Sequence, residues 1–318
     1  MIRARSTVET EQRAGPAGSE PGRGRLRVIS TAGFVGYALL DSGTGRKLER
    51  FGEIIVDRPE PQAMWQPHLR SEKWSEAHAV FSGGEDEDKG RWRMTRPVPE
   101  SWPVEVQGVT LLCRLSAFRH LGLFPEQLPH WRFMLDGLSR VRGEQPRVLN
   151  LFAYTGAATL IAAKAGAEVV HVDASKKANA WAKENQAASG LEQASIRWII
   201  DDARKFVARE ARRGRTYHAI LIDPPKFGRG PENEVWDLFC DLPALTNGCV
   251  RLLASPPAPT LMILTAYAIR ASALALDGLM REATSGRSGD VETGELAIAE
   301  EAGGRLVGTS LYSRWSSA

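Results

Sequence analysis

Cysteine is scarce in this sequence: three among 318 residues, at 113, 240 and 249, an odd number with no C-x-x-C spacing. That excludes a disulfide framework and a cysteine-based zinc site, and it suits reduced, buried thiols. No window approaches the roughly 18 consecutive apolar residues that span a bilayer, so no membrane segment is expected. The first residues carry Arg3, Arg5, Glu9, Glu11 and Arg13 without an apolar run. Neither a secretory leader nor an acid-poor transit segment is therefore expected, and the expected location is cytoplasmic. A large net charge is missing as well: 41 Lys and Arg against 38 Asp and Glu leave a formal +3, too little to mark a nucleic-acid binder. No cluster of metal-ligating residues and no internal repeat is present.

What remains is the composition of a soluble globular protein, 43% hydrophobic and 25% charged, long enough for two cores. Residues 1–25 are rich in Gly, Pro, Arg and Glu and bury too little to offset ordering entropy, so a disordered tail is expected. Residues 26–115 hold short apolar runs, as in Gly36 to Leu40 and Glu53 to Val56. Turn signals at Asp41-Ser42-Gly43 and Gly43-Thr44-Gly45 punctuate them, predicting a small β-rich domain. Ser82 to Gly90, with four acidic residues and three glycines, reads as an exposed loop.

Residues 116–318 form the second expected domain. After Pro146 strands and helices alternate, the mark of a parallel sheet covered on both faces. Strands are predicted at Val148–Phe152, Glu168–Val172, Ile196–Ile200, Ala219–Asp223 and Thr260–Ala266. Helices are predicted at Ala157–Lys164, from Ser175 to a stop at Gly190, at Ala203–Arg213, and around Val235–Leu253. Two further strand-like runs, Leu296–Ala299 and Leu306–Ser313, meet at Gly303-Gly304.

In such a sheet ligands bind beyond the carboxyl ends of the strands, where strand order reverses. Strand one runs into Asn150-Leu151-Phe152-Ala153-Tyr154-Thr155-Gly156, where glycine permits close approach of backbone to a ligand, or simply a tight turn into a helix. After strand two, Asp173 suits ribose hydroxyls or a helix cap; after strand three, Asp201 and Asp202 suit an exocyclic adenine amine or a cap. Strand four ends in Asp223-Pro224-Pro225-Lys226-Phe227-Gly228. The prolines stop the strand, and they also hold the Asp223 carboxylate and the Pro224 carbonyl as acceptors at the cleft, with Phe227 placed to stack on a base. The basic run Arg204, Lys205, Arg209, Arg212, Arg213, Arg215, broken by Glu210, reads as a solvated helix face, with phosphate binding the less favoured alternative.

At these residues the chain resembles the class I S-adenosylmethionine-dependent methyltransferases, and more narrowly the bacterial large-subunit (23S) ribosomal RNA methyltransferases. The resemblance rests on the first-turn segment, Val172-Asp173-Ala174-Ser175, Asp202-Ala203 and Asp223 to Phe227 in family order, and on Gly122-Leu123-Phe124-Pro125-Glu126-Gln127 upstream. It spans about Ala117 to Trp315. It implies a Rossmann-like, seven-stranded methyltransferase sheet of the α/β class beside the smaller β-rich domain, with S-adenosyl-L-methionine as cofactor and no metal. Asn150, Phe152, Tyr154, Thr155 and Gly156 would hold the cofactor, with Asp173, Ala174 and Ser175 at the ribose, Asp202 and Ala203 at the adenine, and Phe124 and Gln127 near the methionine end. Asp223, Pro224, Pro225, Lys226 and Phe227 would face the acceptor, a base of RNA, most specifically large-subunit rRNA.

Family members that make 5-methylcytosine carry a cysteine after the fifth strand. Here that place reads Leu264-Thr265-Ala266-Tyr267, so methylation at nitrogen is expected instead. A methyltransferase acting on a small molecule or a protein is the rival reading; Arg119, His120, Lys226 and Arg229 near the expected cleft favour a polyanion. A nicotinamide enzyme would need G-x-G-x-x-G in the first turn, and a noncatalytic binding module would not need Asp223. The β-rich region is expected to grip RNA or to pair subunits into a homodimer.

Overall fold

The computed structural model describes residues 26–83, 90–267 and 269–317. The expected tail, 1–25, and the body of the acidic loop between Gly83 and Gly90 lie outside the described residues.

Strand β1 (Arg27–Thr31) precedes a five-stranded sheet of β2 (Tyr37–Gly43), β3 (Arg46–Phe51), β4 (Ile54–Pro59), β5 (Ala79–Gly83) and β6 (Gly90–Met94) in that order, with the short helix α1 (Ser71–Trp74) between β4 and β5. The turn signal at Gly43-Thr44-Gly45 is realised as a two-residue hairpin loop with Thr44 and Gly45 both left-handed, at φ 53° and 72°. A second hairpin, β7 (Trp102–Val106) and β8 (Val109–Cys113), turns through Gln107 and Gly108 in the same way.

Helix α2 (Leu128–Leu138) then leads into the alternating region: β9 (Arg147–Leu151), α3 (Ala157–Lys164), β10 (Glu168–Asp173), α4 (Lys176–Ala188), β11 (Ile196–Ile200), α5 (Ala203–Arg212) and β12 (Ala219–Ile222). The hairpin β13 (Phe227–Arg229) and β14 (Val235–Asp237) precedes α6 (Leu238–Arg251), β15 (Leu261–Tyr267), α7 (Ala273–Thr284) and the long antiparallel pair β16 (Gly289–Ala299) and β17 (Leu306–Ser317). The main sheet has the order β1-β16-β17-β15-β12-β9-β10-β11. Within it lie the seven expected strands, all parallel except β17. Every residue of β12 is buried, as a central parallel strand covered on both faces requires.

Three features differ from the sequence reading. β1, expected in the β-rich region, instead adds an eighth strand to the main sheet, parallel to β16 with Arg27 opposite Gly294; a five-residue run does not name its partner. Val235–Asp237, expected to be helical, is a strand, because Asp237 caps α6 by accepting from the Cys240 amide at 3.1 Å and fixes the helix start there. Helices α2 and α7 occupy stretches to which no element was assigned.

The β-rich sheets do not stand apart from the main sheet. One apolar cluster runs from Tyr37, Phe51 and Val56 through Trp102 and Leu111 to Leu123, Trp131, Leu160 and Val169. A second cluster lies on the other face of the main sheet, between it and α5, α6 and α7. Each large side chain so buried contributes roughly 1.5–3 kcal/mol. A polar knot crosses the first junction. Fully buried Glu49 takes a bidentate contact from Arg58 (Nε and Nη2) and the Tyr37 hydroxyl at 2.8 Å, while Arg58 Nη1 donates to the Arg119 carbonyl at 3.1 Å. Burial alone would raise the Glu49 carboxyl, but Arg58 and Lys47 hold it down at about 2. A second knot ties β2 to the end of β16: Arg305 meets Glu300 at 2.5 Å and Asp41 at 3.4 Å, and Ser42 donates to Glu300 at 2.6 Å. Asp41, His68 and Glu300 have the grouping of a metal site, yet the Arg305 guanidinium already supplies the cation there.

Replacing Arg58 by Ala strands the Glu49 charge in the interior. The expected loss is about 3–5 kcal/mol of unfolding free energy by denaturant titration; a loss below about 1 kcal/mol would show the pair to be energetically idle.

Candidate active site

Strand order reverses between β9 and β12, and the carboxyl ends of β9, β10, β11, β12 and β15 form one rim. The segment after β9 is wound tightly: Phe152, Tyr154 and Gly156 are all left-handed, at φ 55°, 49° and 84°. Only glycine takes such an angle freely, so the two aromatic residues must be held by their surroundings. The Phe152 ring packs on Trp236 at 4.9 Å, and Tyr154 lies between Phe124 at 5.7 Å and Trp181 at 6.0 Å. The Tyr154 amide donates to Asp173 Oδ2 at 2.8 Å, and the Ser175 amide donates to Asp173 Oδ1 at 2.8 Å. Asp173 thus clamps the loops after β9 and β10 together and keeps a further lone pair on each oxygen. Burial lifts its carboxyl above the ordinary range while the two amides pull it back.

Thr155, buried, donates through Oγ1 to the Gly122 carbonyl at 2.6 Å, which brings the segment carrying Phe124 and Gln127 against the turn. Gly122 is left-handed at φ 102°, and a Cβ there would lie 2.4 Å from the Trp181 ring, so only glycine fits. Asn150 is turned away from the rim: its amide donates to Thr159 at 3.0 Å, and Thr159 contacts His171 Nδ1 at 3.0 Å, all in the interior. Burial lowers His171 to about 3, which keeps it neutral.

Ser175 caps α4, accepting from the Ala178 amide at 3.2 Å, with Ala174 half-buried before it. Asp202 caps α5, accepting from the amides of Arg204 at 2.9 Å and Lys205 at 3.1 Å, and it also holds the Arg204 guanidinium at 2.9 Å. Burial would raise Asp202, but Arg204 and the two amides hold it below the usual carboxylate range. Ala203 is buried in the first turn of that helix.

At the end of β12, Asp223 Oδ2 accepts from Gln127 Nε2 at 3.2 Å, and Gln127 Oε1 accepts from Thr265 Oγ1 at 3.4 Å. An ionised carboxylate only accepts, which turns the NH2 end of the Gln127 amide toward Asp223, and the Thr265 hydroxyl serves the other end. Among the described residues Asp223 Oδ1 and the Pro224 carbonyl accept no hydrogen bond. Burial, with the Glu126 carboxylate beside it, pushes Asp223 up to about 7. The Pro225 carbonyl takes the Trp236 Nε1 proton at 2.7 Å, which anchors the hairpin that follows. Phe227 on that hairpin is 61% exposed, its ring 5.2 Å from Lys226 Nζ, so it offers a free aromatic face at the rim.

Several contributors were not foreseen. Asn185 on α4 donates to the Thr155 carbonyl at 2.9 Å and accepts from the Leu112 amide at 2.8 Å, joining the turn to strand β8. Its signal was a buried helical stripe, Ala178, Ala182, Asn185, containing a polar residue. Arg119, expected near the cleft, is buried and donates to the Tyr267 hydroxyl at the end of β15. The basic run is largely neutralised: Arg204 by Asp202 and Asp241, Lys205 by Glu232 and Glu234, Arg209 by Asp201, and Arg213 by Glu210. It is an ion-paired face rather than an open phosphate track. Cys113 and Cys249 are buried, and Cys240 lies exposed at the start of α6, away from the end of β15.

Residues 134–261 match the family described as "Conserved hypothetical protein 95". A solved structure, a SAM-dependent methyltransferase from Agrobacterium tumefaciens, is 50% identical and superimposes with a TM-score of 0.87 over 92% of this chain and 94% of that one. The structure of SMU.776 complexed with SAH is 17% identical, with a TM-score of 0.67 over 88% of this chain and 75% of that one, and shares the fold. Among curated relatives, ribosomal RNA large subunit methyltransferase K/L of Shewanella frigidimarina is 33% identical over 47% of this chain and 20% of its own length. Ribosomal RNA large subunit methyltransferase I of Aeromonas salmonicida is 33% identical over 39% of this chain and 30% of its own length. The chain therefore spans less than a third of the length of these two relatives.

A carboxyl lifted to about 7 favours its protonated form in the fold, so its stabilising share is complete below the unfolded value near 3.8 and is lost as pH rises through 7. Asp223→Asn should accordingly raise the melting temperature at pH 8, with a gain on the order of 3 kcal/mol, and leave it unchanged near pH 4. A variant no more stable than the parent at pH 8 would contradict the buried-charge reading.

Proposed function

Because the chain belongs to the S-adenosylmethionine-dependent methyltransferases, we propose that it methylates a base of large-subunit ribosomal RNA, at nitrogen, with Asp223 and Pro224 receiving the acceptor. The bound cofactor supplies an electrophilic methyl group on a sulfonium. The residues at the rim suit it: the free lone pairs of Asp173 match the paired hydroxyls of a ribose, and the wound turn from Phe152 to Gly156 exposes backbone beside them. Asp202 stands at the adenine end, held by Arg204, and Phe124 and Gln127 border the side facing Asp223.

The observation that carries the nitrogen assignment is the pair of unclaimed acceptors, Asp223 Oδ1 and the Pro224 carbonyl, on a segment that two prolines make rigid. They orient an N–H-bearing nitrogen so that its lone pair faces the cofactor, and Asp223, poised near neutrality, takes the proton released when the N–C bond forms. Phe227 stacks on the base once it leaves its helix. Carbon-5 chemistry lacks its nucleophile, since Tyr267 stands where a thiol would be needed and burial pushes Cys113 up to about 12. The rRNA substrate is supported by the names of the curated relatives, and a ribosomal substrate makes the cytoplasm the place of work.

Incubation with methyl-labelled cofactor and unmodified large-subunit rRNA should yield one labelled N-methylated nucleoside. Asp223→Asn should lower turnover about 100-fold or more while the cofactor still binds, and kcat/KM of the parent should rise with pH through about 7. Labelled 5-methylcytidine, or label transferred only to protein or small molecules, would refute the assignment.

A further inference from the structure

On the opposite edge of the main sheet, the amino-terminal ends of β9, β10 and β11 and the last turn of α5 enclose a cavity of about 270 Å³. It lies across the strands from the rim just described, roughly 15–20 Å away for five or six extended residues. Four guanidinium groups line it, Arg147, Arg197, Arg213 and Arg215, against two carboxylates, Glu168 and Glu210. We propose that this cavity binds a phosphate group, independently of the methyl-transfer site.

Glu210 is 1% exposed and already satisfied, by the Tyr217 hydroxyl at 2.6 Å, Arg213 at 3.2 Å and Arg197 at 3.9 Å. The last turn of α5 is partly closed, with the amides of Arg213, Gly214 and Arg215 on the carbonyls of Arg209, Glu210 and Ala211 at 3.1 Å, and Glu168 is the one lining carboxylate without a partner among the described residues, against four guanidiniums. Donors, by contrast, are left over. Arg147 Nε is buried without an acceptor, although Nη2 of the same side chain reaches Thr216 at 3.2 Å and Glu144 at 3.5 Å. The Arg215 guanidinium makes no hydrogen bond or ion pair among the described residues, and the Arg197 guanidinium meets only Glu210. A buried N–H with no partner costs about 1–3 kcal/mol, so the arrangement calls for an anion with several oxygens. Forked guanidiniums match phosphate oxygens two at a time, and the cavity has room for one such group. Arg213 and Arg215 end the basic run, so its phosphate-binding share is confined to this cavity, while Arg204, Lys205 and Arg209 are absorbed by ion pairs.

The phosphate could come from free inorganic phosphate or from an RNA backbone. Melting curves of the full chain in inorganic phosphate and in chloride at matched ionic strength test the site. The parent should melt higher in phosphate, and the Arg197→Ala/Arg215→Ala variant, whose two side chains are solvent-exposed, should lose that increment while keeping the chloride value. An rRNA fragment then assigns the source. Binding weakened roughly 10-fold in the variant, with a salt slope lower by about 1–2, identifies the RNA backbone, and unchanged RNA binding with lost phosphate binding identifies the free ion. No preference for phosphate over chloride in the parent, or the same preference in the variant, overturns the proposal.

Discussion

Two backbone amides, from Tyr154 and Ser175, converge on the Asp173 carboxylate at 2.8 Å each, and the geometry of the rim at the carboxyl ends of the strands follows from that convergence. A turn with three left-handed residues does not persist unaided, since each non-glycine member costs on the order of 1 kcal/mol or more. Asp173 restrains it from one side, and Thr155 and Asn185 restrain it from the other. The turn is therefore held in place by its own hydrogen bonds, and a surface so restrained lowers the entropic cost of aligning whatever it binds.

The same restraints reach beyond the main sheet. Asn185 bonds both the turn and strand β8, Trp181 Nε1 donates to the Leu112 carbonyl at 2.7 Å, and Ser189 exchanges bonds with the Thr110 backbone at 3.0 Å. An exposed β8 edge would be open to pairing with a foreign strand; here it is satisfied by side chains of α4. The β-rich sheets thus brace the turn mechanically, and the buried Arg58 links them to Arg119 and through it to Tyr267 at the rim.

Much of this was readable in the chain because the relevant signals are local. Ala157–Lys164 and Ile196–Ile200 begin and end where periodicity and caps placed them, and glycine, the acids and the paired prolines fall at strand ends as a parallel sheet requires. What escaped depends on partners distant in sequence. β1 joins β16 more than 260 residues away, and the run Arg204 to Arg215 looked like one basic face because three of its neutralising acids, Glu232, Glu234 and Asp241, lie more than 15 residues further along the chain. Helix α2 did carry a signal, the buried spacing Leu128, Trp131, Met134, Leu138, obscured by Pro129 at its start and by His130 within it. Asn150 stood in a segment suited to a ligand, yet its side chain serves the interior, a choice set by Thr159 in the first turn of α3.

Calorimetric titration of Asp173→Asn with S-adenosylhomocysteine tests the central claim most directly. The account predicts an affinity at least roughly 10-fold below that of the parent, about 1.4 kcal/mol, in a protein that is still folded. Equal affinity in the two proteins would contradict it.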